Sequence, residues 1–153
     1  MDRASTQRMS SSEFMQQIPM AVRPKLLPTL RDFQWRARSY LVQLYYGDPD
    51  IHFEVWSLKR LGRLEIGLHF ESRDRAYNER MFLFFDRYII EIKAQLGKSI
   101  ELERWDRGWT RIFENIPLPP FDETFIESVS TSLAKMISLL QPLCEKAVVD
   151  KPD

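Results

Sequence analysis

Residues 51–71, IHFEVWSLKRLGRLEIGLHFE, alternate between apolar and polar side chains on two successive arms, and few folds accommodate that pattern. Ile51, Phe53 and Val55 share one side of the first arm, and Leu64, Ile66, Leu68 and Phe70 match them on the second. Successive side chains leave opposite faces of a strand. The spacing therefore predicts a β-hairpin with one face sealing a core. The other face carries His52, Glu54 and Trp56, then Glu65, Gly67, His69 and Glu71, and so holds both histidines of the chain.

A chain of 153 residues suits one domain with tails. The expected division is a flexible N-terminal segment with a docking helix over 1–28, a single α+β domain over 29–146 and a disordered tail over 147–153. Residues 1–12 are polar and expected to be disordered, with Ser11 or Ser12 capping a short helix over 13–18. Pro19, Pro24 and Pro28 argue against a long helix before Thr29. The apolar residues between them, Met20, Val22, Leu26 and Leu27, are expected either to drape over the domain or to dock on a partner.

Thr29 then opens a helix with Leu30, Phe33, Ala37, Tyr40, Leu41 and Leu44 on one side, ended by Gly47 to Pro49. A second helix is expected over 77–96, closed by Gly97. A second hairpin has arms 100–105 and 109–116, turning through Asp106, Arg107 and Gly108. Asp122 caps a last helix whose stripe is Ile126, Val129, Leu133, Met136, Ile137 and Leu140, and Pro142 kinks or ends it. The expected fold is thus α+β, a four-stranded antiparallel sheet in α–ββα–ββα order with helices packed on one face. The tetrapeptides FEVW at Phe53 and LERW at Leu102 give the two halves a faint internal echo.

Lysines plus arginines number 22 and so do aspartates plus glutamates, a balance that argues against a general binder of phosphate backbones. The single cysteine, Cys144, excludes an intramolecular disulfide and reads as a small buried hydrophobe. No secretory signal pattern and no run of about 18 apolar residues appears, so a cytoplasmic location without membrane contact is expected.

The outward sheet face carries the candidate site. Its residues are His52, Glu54, Trp56, His69, Glu71, Glu103, Trp105 and Arg111, with Arg111 in an ambiguous register. Imidazole, carboxylate and indole side chains together suit a binding surface, and indoles are over-represented in interface hot spots. The leading expectation is a non-catalytic binding or accessory module that docks on a partner protein or self-associates through this face. No catalytic residue, no metal ligand and no cofactor is assigned. Two alternatives stand beside it. One is a metal-dependent hydrolase or nuclease using His52, Glu54, His69 and Glu71, although no Glu-x-Lys element or HExxH pattern supports it. The other is nucleic-acid binding through Arg31, Arg36, Arg38 and the basic N-terminus.

Several spaced residues also follow a pattern: Asn78-x-x-Met81-Phe82 with Phe85, Ile92-x-x-x-Leu96-Gly97, Leu102-Glu103-Arg104-Trp105, and Thr110-Arg111-Ile112. This half of the chain resembles a poorly characterised domain of prokaryotic proteins that often lies C-terminal to restriction-endonuclease-like domains. The resemblance implies an accessory or recognition role near nucleic-acid-processing or defence systems, without catalysis by the domain itself.

Overall fold

The computed structural model of the protein describes residues 7–149. The expected disorder of residues 1–6 and the end of the expected tail, 150–153, lie outside the described residues. The elements in order are α1 (Ser11–Val22), β1 (Gln34–Arg38), β2 (Leu41–Tyr45), β3 (Ile51–Leu58), β4 (Arg63–Phe70), α2 (Arg75–Arg87), α3 (Ile89–Leu96), β5 (Glu101–Arg104), β6 (Thr110–Pro117) and α4 (Glu123–Val149).

The class is α+β, but the sheet has six antiparallel strands in the order β1-β2-β3-β4-β6-β5, not four. The correction comes from residues 29–44, expected as a helix. They form the hairpin β1–β2 instead, with Trp35 opposite Leu44 and Ala37 opposite Val42. Phe33, Trp35 and Ala37 alternate with Gln34, Arg36 and Arg38, and that period of two wins once β2 has β3 to pair with.

Residues 11–22, placed by sequence in a flexible segment, form α1. Ser10 caps it by accepting from the Glu13 N–H at 3.1 Å. Phe14, Met15, Ile18 and Val22 have no solvent exposure and pack in the core against α4 and the sheet. Burying such side chains contributes about 1.5–3 kcal/mol each. Their sum rivals the net stability of a typical domain, so α1 is integral to the fold. Pro19 lies inside α1 and Pro142 inside α4, which continues to Val149.

The expected helix over 77–96 is two helices, broken at Tyr88 (φ −105°, ψ 6°). Asp74 caps α2, accepting from the Ala76 and Tyr77 N–H groups, and Asp122 accepts from Phe125 at the start of α4. Buried Asn78 donates to the carbonyls of Ser72 and Gly108 and accepts from the Ser72 N–H, fastening the start of α2 to both neighbouring turns. In the β5–β6 turn, Arg107 (φ 62°) and Gly108 (φ 74°) both adopt the left-handed conformation.

The helices cover one face of the sheet. Beneath them Phe53, Val55, Leu64, Ile66, Leu68 and Phe70 form the apolar floor of the core. Among the described residues no helix lies over the opposite face, and that face carries the candidate site. Among the described residues no helix is long and apolar enough to cross a membrane.

Candidate functional site

The register of β3 with β4 determines the site. His52 stands directly opposite His69, Glu54 opposite Gly67, and Trp56 opposite Glu65. On the far side of β4, His69 is opposite Arg111 and Gly67 opposite Phe113, and Arg111 is in turn opposite Glu103 on β5. The ambiguous register of Arg111 thus resolves onto the helix-free face. All eight sequence-predicted residues lie on this face or at its border.

The central residues of the face are not displayed to solvent, whereas the Glu103 side chain at its border is 41% exposed. His52 is 1% exposed, Glu54 4%, Glu65 1% and His69 0%. Their cover comes from the same sheet. Trp105, just beyond β5, packs edge-on to His69 and contacts both Trp56 and Trp109. The Arg111 guanidinium lies 4.5 Å from the Trp105 ring centroid and 4.1 Å from that of Phe113. Phe113 reaches over Gly67, where a Cβ would stand 2.7 Å from the Cβ of Phe113. Glycine at that position permits the close approach of β6.

Beneath this cover runs a polar network. His69 bonds Glu71 Oε2 through Nδ1 at 2.9 Å and Glu65 Oε1 through Nε2 at 2.8 Å. Arg111 donates to Glu65 Oε2 at 3.1 Å and to Glu103 Oε1 at 2.9 Å. His52 Nδ1 donates to the Pro49 carbonyl at 2.8 Å. The Gln43 amide nitrogen lies 2.7 Å from Glu54 Oε1 and 3.2 Å from His52 Nε2, while its oxygen accepts from Arg36.

The electrostatics follow from this geometry. Burial alone would push the His69 imidazolium to lower pKa. Hydrogen bonds to Glu65 and Glu71, with the charges of Glu54 and Glu65, outweigh it and raise His69 to about 10. Burial would likewise raise Glu54, but the hydrogen bond from His52, the charges of both histidines and the Gln43 amide bring it down to about 2.

Sequence reasoning places Gly67 on this face without a role and does not find Gln43 or Phe113 as parts of the site. Gln43 lay in the segment read as a helix. A usable signal was present nonetheless: the tripeptide His-Phe-Glu occurs at 52–54 and again at 69–71. On directly paired antiparallel strands, two such copies are related by a local two-fold axis through the histidine pair. Glu101, also on this face of β5, is exposed at the sheet edge. Arg31, Arg36 and Arg38 do not share a helix face: Arg31 donates to the Leu26 carbonyl, and the other two lie on edge strand β1.

No protein-family model, no curated protein and no solved structure matches this chain.

Proposed function

We propose that the chain is a non-catalytic binding module that docks an acidic protein partner at the β1–β2 side of the helix-free face. The observation behind this reading is a cluster of cations without counterions. Arg38, Lys59, Arg60 and Arg63 are exposed and have no ion pair among the described residues. They sit at one end of the sheet, where the β1–β2 turn adjoins β3 through the bond from the Ser57 N–H to the Tyr40 carbonyl. Segments 36–41 and 56–63 contain no carboxylate. Tyr40 and Leu61 are 49% and 61% exposed beside these charges. Arg36, Arg38, Leu41 and Gln43 line a depression of about 520 Å3 next to the free edge of β1.

A positive rim of this kind favours an acidic partner and repels its own copy. The neutral balance of the whole chain speaks for an acidic protein segment over nucleic acid. The burial of His52, Glu54, Glu65 and His69, none more than 4% exposed, supports the non-catalytic part.

Isothermal titration with a polyglutamate peptide tests the reading, with a short DNA duplex as competitor. The peptide is expected to bind at low salt and to weaken as salt rises. Replacing Arg38, Arg60 and Arg63 together by Glu should weaken it at least about tenfold with unchanged circular dichroism. Tighter binding of the duplex would transfer the reading to nucleic acid, and no peptide binding at low salt would end it.

A further inference from the structure

We propose that His52, His69 and Glu71 bind one divalent transition-metal ion between β3 and β4, through His52 Nε2, His69 Nδ1 and Glu71 Oε2, with Glu54 swinging in as a fourth donor. The inference is independent of the acidic-partner reading, since it concerns the floor of the face and not its rim.

The donor atoms converge. His52 Nε2 lies 3.7 Å from Glu71 Oε2, and His69 Nδ1 lies 2.9 Å from the same oxygen. The ligand atoms of these three residues all lie within 4.8 Å of one another. Glu54 stands beside them but reaches the histidines through different oxygens, Oε1 at 3.5 Å from His52 Nε2 and Oε2 at 3.6 Å from His69 Nδ1. Donors that bind one zinc-like ion at about 2.0–2.1 Å stand roughly 3–3.5 Å apart around it, so a small contraction makes the triad three corners of a coordination sphere.

The opposite nitrogen of each ring is held as well. A metal-binding histidine nearly always donates its other N–H to a carbonyl or carboxylate, which sets its tautomer and orientation. His52 Nδ1 is bonded to the Pro49 carbonyl, and His69 Nε2 to Glu65, which is itself held by Arg111. Both histidines therefore have their rear nitrogens fixed and their front nitrogens turned toward the same two carboxylates. Gln43 supports Glu54 in the same way.

The network is rich in carboxylates. Glu54, Glu65, Glu71 and Glu103 bring four to it, against one guanidinium from Arg111. A divalent ion adds positive charge to that set. Two imidazoles with two carboxylates suit zinc, iron(II) or manganese, whereas magnesium and calcium take oxygen donors. With Glu54 as the fourth donor after a side-chain shift, no open position remains, as in structural sites. The ion would clamp the central hairpin and stabilise the fold.

The test uses the untagged full chain after treatment with a chelator, titrated with Zn2+ or Co2+ and passed through gel filtration for elemental analysis. The expected result is one ion per chain, a rise in melting temperature and cobalt d–d absorption with nitrogen and oxygen ligation. Glu71→Gln should bind at least about tenfold more weakly. Its side chain is 17% exposed, so this variant is expected to fold even where His69→Gln does not. Substoichiometric metal in the wild type with Zn2+, Co2+, Mn2+ and Fe2+ alike overturns the proposal. So does unchanged zinc affinity in Glu71→Gln, or equal stabilisation by Mg2+.

Discussion

Trp105 stands edge-on to His69, with ring centroids 5.8 Å apart and planes at 82°, although β6 runs between their strands. An indole from the sheet edge thus shields an imidazole on a central strand. Replacing Trp105 by Ala should open the network to water. Deuterium exchange at the His69 imidazole C2 position, followed by mass spectrometry, is expected to be faster in that variant than in the wild type. Equal protection in both would show that Trp105 is not the cover.

Gly67 is held bare by its neighbour across the sheet. A Cβ there would meet the Phe113 Cβ at 2.7 Å and the Ile112 carbonyl at 2.8 Å, and the second contact is to rigid backbone. Gly67→Ala should therefore cost about 2 kcal/mol by overpacking, lowering the melting temperature by roughly 5 °C for a chain of this size. Calorimetry decides it.

Among the described residues Arg111 is the one fixed cation bonded to Glu65, whose side chain is 1% exposed. Arg111→Met should destabilise the fold by about 3–5 kcal/mol, because it leaves a buried carboxylate without that partner. Adding Glu65→Gln should recover part of the loss. Urea denaturation of the two single variants and the double measures the coupling.

The pH dependence of the metal-free protein follows from His69. Its pKa is raised to about 10 in the folded state, against about 6.5 when unfolded. A raised histidine contributes stability that is fully present below pH 6.5 and lost as the pH climbs toward 10. Chelator-treated protein should therefore lose stability steadily across that window in thermal melts. His69 should also show no imidazole titration by NMR between about pH 5.5 and 8.5.

How much of this was legible beforehand depended on local competition. The hairpin of β3 and β4 was readable because period-two alternation ran for eight residues on each arm. The start of α4 was readable from Asp122, whose carboxylate takes the Phe125 N–H. The β1–β2 hairpin was not. Leu30, Phe33, Ala37, Leu41 and Leu44 satisfy a helical stripe as well as two short strands, and the Ser39–Tyr40 turn lacks the glycine or asparagine that would have announced it. The site was half legible. Alternation assigned His52, Glu54, His69 and Glu71 to one face, but their burial depends on cover from β5 and β6, a matter of sheet order and not of sequence spacing. Cys144 was read as a packing residue; it is 6% exposed, and burial pushes its thiol up to about 12.

The direct pairing of His52 with His69 has a consequence for folding. A hairpin with alternating faces can slide by two residues and still keep its apolar side inward. Here such a slide would set His52 against Gly67 or Glu71 and strand a carboxylate inside the sheet without its imidazole. Hydrophobicity alone tolerates several alignments of these strands. The polar interior accepts one, so the network that looks like a stability liability acts as the chain's proofreading of strand alignment.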